Sequence, residues 1–237
     1  MCCRCVIPDE TAILNIWPHA VPRPGASWTP GFNVAPTATV PLLIPSRNGA
    51  LDLLGARWGL IPSWWEKDAP PAHTFNARVE DAAKKPAWRD SLRTRRALMP
   101  VRGWYEWRQD EWTLDASGRD VRQPFFFQAP DAPIIALAAL WAVRGPPNSV
   151  AQMSCALMTR PAAPALAAIH PRMPVVLDAD QQADWLNPSI PVEALLALAD
   201  RSREDIRFHR VSPRVNNVRN GEPDLMKEYR PPPSTLF

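Results

Sequence analysis

Residue 2 of this chain is a cysteine, and loss of Met1 would leave its α-amine and its thiol on adjacent carbons. An α-amine titrates at about 7.7–8.0 against about 10.4 for a lysine ε-amine, so near neutral pH far more of it is nucleophilic. A 1,2-aminothiol condenses with an aldehyde to an imine, and the thiol then adds to the same carbon to close a thiazolidine ring. The first residues therefore suggest capture of an aldehyde.

Cys2-Cys3-Arg4-Cys5 also contains a C-x-x-C spacing, which could be half of a zinc site or a redox pair. Cys155 is the one other cysteine, and His19, His73, His170 and His209 are scattered without ligand spacing. A thioredoxin-like pair would sit between a strand and a helix of a βαβ unit, whereas here nothing precedes it. No metal and no cofactor are expected.

Further segments place polar groups among apolar or aromatic neighbours. Phe32-Asn33-Val34-Ala35-Pro36 is one, and Trp58-Gly59-Leu60-Ile61-Pro62-Ser63-Trp64-Trp65 is a loop with two adjacent large aromatics. Two neighbouring loop residues are hard to bury together, so Trp64 and Trp65 suit an exposed stacking platform, a device that tolerates any base sequence. A half-buried loop anchor is the alternative for at least one of them. In Phe75-Asn76-Ala77-Arg78-Val79-Glu80, an extended backbone would set Asn76, Arg78 and Glu80 on one face. Arg78 could then fork a phosphate and Asn76 hydrogen-bond a reacting group. Glu106 lies among aromatics in Gly103-Trp104-Tyr105-Glu106-Trp107, where burial would raise its pKa toward general acid–base work; pairing with an arginine is the alternative. His170, in Ile169-His170-Pro171-Arg172-Met173-Pro174, is placed for proton transfer.

The elements that must hold these residues are short. Strands are predicted over 39–44, 51–58, 97–101, 104–108, 124–128, 134–141, 151–158, 174–176 and 207–211, with Gly103 turning two of them into a hairpin. Helices are predicted over 82–95, with Pro86 in the first turn, and over 164–169, 180–186 (N-capped by Asp180) and 192–202. The 29 prolines and nine glycines favour stiff extended connections over long helices. Strand and helix do not alternate regularly, so an α+β domain with a mixed, largely antiparallel sheet and peripheral helices is expected rather than a doubly wound α/β fold. One domain over 1–229 and a flexible tail over 230–237 are expected.

No stretch approaches a membrane span, and the start lacks a basic n-region followed by an apolar one, so a cytoplasmic protein with no membrane partner is expected. The net charge of +3 is uninformative, but residues 78–108 hold nine basic against four acidic side chains. That segment reads either as a solvated face or as a nucleic-acid contact.

Taken together and in this order, several segments resemble the SRAP (SOS response-associated peptidase) family. They are Met1-Cys2 followed by Arg4, Asn33-Val34-Ala35-Pro36, Trp58-Gly59-Leu60-Ile61-Pro62, Asn76-Ala77-Arg78 with Glu80, Gly103-Trp104-Tyr105-Glu106-Trp107, His170-Pro171-Arg172-Met173-Pro174 and Val215-Asn216-Asn217. The resemblance covers nearly the whole chain and implies a single α/β domain with a barrel-like sheet. It implies processing of abasic sites in single-stranded DNA: loss of Met1, then a stable thiazolidine between Cys2 and the ring-opened aldehyde of an abasic deoxyribose. On matching positions, Asn76 would hold the reacting group, Glu106 orient or deprotonate the α-amine, and His170 assist sugar-ring opening. Arg4 and Arg78 would grip phosphates and Trp64, Trp65 and Trp107 pack against sugars and bases, with Asn33 and Arg172 completing the DNA contact. The family's peptidase name would refer to removal of Met1 by the same site. The implied partner is single-stranded DNA bearing abasic sites, bound by a monomer that joins the nucleoid when on DNA. Cys3 stands where the family usually has glycine, and Pro171 where a polar residue is usual. A non-covalent single-strand binding module and a thiol peptidase using Cys2 with His170 are the competing readings.

Overall fold

A computed structural model describes residues 2–25, 27–46, 49–67, 69–145 and 152–230. In chain order its elements are β1 Cys5–Ile7, α1 Glu10–Ile16, β2 Ala20–Pro22, β3 Gly31–Val34, β4 Thr39–Pro45, β5 Leu51–Trp58, β6 Asn76–Arg78, α2 Val79–Ala82, α3 Pro86–Thr94, β7 Arg96–Val101, β8 Gly103–Leu114, β9 Asp120–Gln128, β10 Ile135–Arg144, β11 Gln152–Pro161, α4 Pro164–Ala167, β12 Arg172–Pro174, β13 Val176–Leu177, α5 Ala179–Leu186, α6 Val192–Asp200 and β14 Arg207–Arg210. Two 3-10 turns, Pro213–Asn216 and Pro223–Met226, follow. The expected tail falls mostly on 231–237, outside the described residues.

Two sheets make up the fold. The smaller runs β14-β9-β8-β1-β3, antiparallel throughout. The larger runs β12-β11-β10-β7-β4-β5-β2, and a parallel pairing of β5 with β11 closes β11-β10-β7-β4-β5 into a barrel. The expected mixed, largely antiparallel barrel-like sheet is thus present, with its helices outside the strand order.

Strict alternation builds the core. Val40, Leu42, Ala97, Met99, Leu137, Ala139, Cys155 and Leu157 join one buried cluster with Cys2, Cys5, Trp104 and Phe127 of the small-sheet side. Their neighbours Leu43, Leu98, Ala136, Ala138, Ala156 and Met158 join another with Trp88 and Leu92 of α3, Trp185 of α5 and Leu195 of α6. A strand buried on both faces needs both sets apolar, which is why β7 and β10 read as nearly continuous hydrophobic runs.

Four local expectations are corrected. Residues 82–95 are not one helix: Lys85 is held extended at ψ 130° by the ring of Pro86, which opens α3 at its first position. Asp178, not Asp180, caps α5, accepting from the Gln181 N–H at 2.9 Å in a reciprocal capping box. The predicted 174–176 strand is two short ones, β12 and β13. Gly103 does not close a hairpin: β7 lies in the barrel between β4 and β10, β8 in the small sheet between β1 and β9. A side chain at Gly103 would meet the Phe127 carbonyl oxygen at 2.2 Å, so this glycine serves the close approach of β9 rather than a turn.

Candidate active site and nucleic-acid interface

Cys2 lies just before β1, the strand inserted between β3 and β8. Cys5 pairs with Trp104, and the Tyr105 N–H donates to the Arg4 carbonyl at 2.9 Å. This register carries Glu106 up to the N-terminal segment, close enough for its charge to push the Cys2 thiol pKa further up, behind the larger effects of burial and the Cys5 thiol. Cys2 is fully buried, with its Sγ 3.7 Å from that of Cys5.

The barrel side supplies the other groups. β6 runs parallel to β11 with Asn76 opposite Leu157, and the Phe75 carbonyl before it accepts from Trp58 Nε1 at 2.9 Å and the Leu157 N–H at 3.0 Å. So fixed, Asn76 donates its Nδ2 to the Cys2 carbonyl at 2.7 Å. It is 7% exposed, and its Oδ1 has no partner among the described residues. A buried acceptor of this kind is costly unless something else meets it.

Glu106 is 2% exposed, and burial raises its pKa to about 7. Its Oε2 lies 3.9 Å from His170 Nε2. Among the described residues no arginine forms an ion pair with Glu106, as the alternative reading would have it. Burial also lowers the His170 pKa, which favours the neutral ring. His170 Nδ1 lies 3.1 Å from the Arg172 N–H, from which it can accept, and 3.0 Å from the Arg172 carbonyl oxygen, to which the other tautomer donates, and either contact turns Nε2 toward Glu106. Cys2, Asn76, Glu106 and His170, expected together, therefore meet where the two sheets join.

The residues expected to contact DNA divide into two groups. Arg78 is exposed, its side chain without a hydrogen bond or ion pair among the described residues, and Trp64 is 50% exposed. Trp65 is half-buried, donates Nε1 to the Ala69 carbonyl at 2.9 Å and tilts against Trp64 with centroids 6.0 Å apart, so it anchors the loop that presents Trp64. The second group is engaged inside the fold. Asn33 donates to the carbonyls of Val215, Asn217 and Asn220 at 2.9–3.1 Å and accepts from Arg4 at 2.8 Å. Arg4 also donates to the Val215 carbonyl at 2.8 Å and sits 5.7 Å over the Trp107 ring, whose Nε1 donates to Asn216. Arg172 forks Glu80 and donates to the Thr159 carbonyl at 2.7 Å. Glu80 leaves the expected face with Asn76 and Arg78 because α2 begins at Val79, where a carboxylate in the first turn is favourable.

The basic segment is likewise divided. Arg96 is buried and donates to the carbonyls of Leu92, Arg93, Trp185 and Asn187 at 2.5–2.7 Å, closing the C-terminal ends of α3 and α5. Lys85 pairs with Asp81, and Arg108 with Asp110 and Glu111.

Sequence reasoning gave no role to Trp58 or Tyr105 beyond their motifs, none to Thr159, and none to Cys5 beyond the C-x-x-C spacing. Tyr105 donates its hydroxyl to the Phe32 carbonyl at 2.8 Å and ties β8 to β3. Beside Asn33, a cleft of about 640 Å³ is lined by Trp28, Val34, Pro36, Thr39 and Val218, among others. No metal-ligating cluster occurs among the described residues, and no helix there is long and apolar enough to cross a membrane.

Comparison with known proteins bears on the whole arrangement. An abasic site processing protein of Bacillus subtilis, YoqW, is 29% identical over 209 residues, covering 87% of this chain and 89% of its own. The rat abasic site processing protein HMCES is 25% identical over 236 residues, covering 84% of this chain, which spans 65% of the rat protein. Crystal structures of proteins from Bordetella bronchiseptica and Bacteroides thetaiotaomicron share the fold at TM-scores of 0.73 and 0.72, each 20% identical, covering 89% and 84% of this chain and 100% and 86% of their own. The family model for SOS response associated peptidase (SRAP) matches residues 1–218, and the chain belongs to that family.

Proposed function

We propose that this protein captures abasic sites in single-stranded DNA, using the α-amine and thiol of Cys2 once Met1 has been removed. The observation that carries the reading is the meeting of an amide, a carboxyl with a pKa of about 7 and a neutral imidazole around one buried cysteine at the start of the chain. Two of the relatives compared above are named abasic site processing proteins.

The reaction follows from what each group can do. The α-amine of Cys2 adds to the aldehyde carbon of the ring-opened sugar, and the resulting carbinolamine loses water to give an imine. The Cys2 Sγ then adds to the same carbon, its proton passing to nitrogen, so the closed thiazolidine differs from the reactants by one water. A carboxyl titrating near neutrality can both take the ammonium proton and return one, which suits Glu106. His170, neutral with Nε2 toward Glu106, donates to the sugar oxygen as the ring opens. Asn76 fixes the Cys2 carbonyl and offers its Oδ1 to the hydroxyl or amine of the reacting centre. Arg78 and Trp64 supply a phosphate contact and a stacking surface. The same groups, gathered at Cys2, suit cleavage of the peptide bond that joins it to Met1.

The test is a denaturation-resistant adduct between the purified protein and a single-stranded oligonucleotide carrying one abasic site, read alongside the intact mass. Loss of Met1 in the mass and an adduct absent from Cys2→Ala are expected. An adduct that persists in Cys2→Ala, or that forms on a chain retaining Met1, overturns the reading.

A further inference from the structure

Cys5 has no part in the chemistry above, yet its Sγ lies 3.7 Å from the Cys2 Sγ. Both are free thiols, fully buried in one apolar cluster. The two ends of the pair differ in freedom. Cys5 is gripped on both sides, by Trp104 of β8 and Val34 of β3, whereas Cys2 precedes the strand. A disulfide needs the sulfurs at about 2.05 Å, and rotation of the Cys2 side chain supplies the approach while Cys5 stays fixed. Only Cys3 and Arg4 intervene, so little chain entropy opposes closure.

We propose that Cys2 and Cys5 form a reversible disulfide that withdraws the Cys2 thiol from aldehyde capture and leaves its α-amine free. The oxidant is a peroxide, small enough to enter wherever a sugar aldehyde reaches Cys2. Both S–H bonds break, one S–S bond forms, and the two electrons released cleave the peroxide O–O bond to give two waters with hydrogen peroxide. The consequence rests on the function proposed above. Reduced protein closes the thiazolidine and stays on the lesion; oxidised protein stops at the imine, which water reverses. The C-x-x-C spacing would then be neither a metal knuckle nor a thioredoxin-like catalyst but a lock on the nucleophile.

The experiment treats the purified chain, free of Met1, with hydrogen peroxide and divides the sample, remaining thiols being blocked only in the portion taken for digestion and thiol counting. Intact mass should fall by two hydrogens, and trypsin, cutting after Arg4, should release the peptide carrying Cys2 joined by a disulfide to the peptide that begins at Cys5. Stable adduct with an abasic oligonucleotide should fall by roughly tenfold or more while borohydride still traps an imine, and dithiothreitol should restore the adduct. Cys3→Ser should still lose the two hydrogens and Cys5→Ala should not. Four blockable thiols after peroxide, a bridge that uses Cys3, or an undiminished adduct from bridged protein each overturn the proposal. Absence of adduct from the fully reduced protein sinks the proposed function instead, and the mass and peptide readouts still decide the disulfide.

Discussion

Asn76 on β6 and Cys2 just ahead of β1, 74 residues apart, are joined by one hydrogen bond of 2.7 Å from the amide nitrogen to the backbone carbonyl. Asn76→Asp keeps the shape and removes the donor, leaving a carboxylate against that carbonyl. The cost of an unmet buried group, about 1–3 kcal/mol, corresponds to a fall of roughly 5- to 150-fold in adduct formation rate on abasic single strands. Single-turnover kinetics on denaturing gels measures it, and an unchanged rate would remove Asn76 from the reacting centre.

Glu106 makes stability depend on pH in a defined direction. Its carboxyl has a native pKa of about 7 against 4.5 when unburied. Below 4.5 native and unfolded chains are both protonated, and the native state has its full stability with respect to this group. Between 4.5 and 7 the unfolded chain has released its proton while the native carboxyl still holds it, so stability falls by roughly 3 kcal/mol over that range and levels off above it. Glu106→Gln lacks this decline. Urea unfolding between pH 5 and 8 should show the variant gaining on the parent across that window while losing adduct formation; parallel curves would contradict the assignment.

Arg78 and Arg172 are separable by salt. Arg78→Ala should weaken binding to intact single strands and reduce the log–log salt slope by about 0.7, the value for one phosphate contact. Arg172, forked onto Glu80, should leave the slope unchanged when replaced by lysine and lower stability by about 1–2 kcal/mol through loss of the bidentate geometry. A slope change in Arg172→Lys would place its guanidinium on DNA after all.

Asn33→Ala removes an amide whose two N–H groups are shared among the carbonyls of Val215, Asn217 and Asn220, holding that segment against β3, and whose oxygen accepts from Arg4. A loss of about 3 kcal/mol in unfolding free energy is expected. A loss of binding with unaltered stability would instead mark a direct DNA contact.

Trp64→Ala should cost about 1–3 kcal/mol in single-strand affinity and shift stability by less than about 0.5 kcal/mol. Trp65→Ala, which frees the loop from Ala69, should cost stability as well. Equal effects of the two on melting temperature would argue against the division between platform and anchor.

The barrel strands were legible because β4, β5, β7, β10 and β11 are long enough for alternation or a continuous apolar run to show. β1, β2, β3 and β6 were not, since three or four residues cannot display a period. α1 went unseen although Asp9 caps it, because seven residues with one buried side chain, Ile13, carry almost no amphipathic signal. Gly103 misled because close packing and turning call for the same residue. In the site, residue type identified Cys2, Glu106 and His170, since few side chains can do their chemistry. The internal roles of Arg4 and Asn33 were hidden because their partners are backbone carbonyls near the far end of the chain, which no side-chain pattern announces.

The site draws Cys2 and Glu106 from the small sheet and Asn76 and His170 from the barrel side. A ribosome delivers Cys2 first and His170 long after it, so during synthesis the aminothiol precedes every group that would act on it. If the site removes Met1, as the proposed function has it, that step is expected to be an act of the finished molecule, and a chain stopped before residue 170 is expected to keep its methionine. Folding itself would then arm the nucleophile, and Met1 would serve as a safety cap on a warhead made before its trigger.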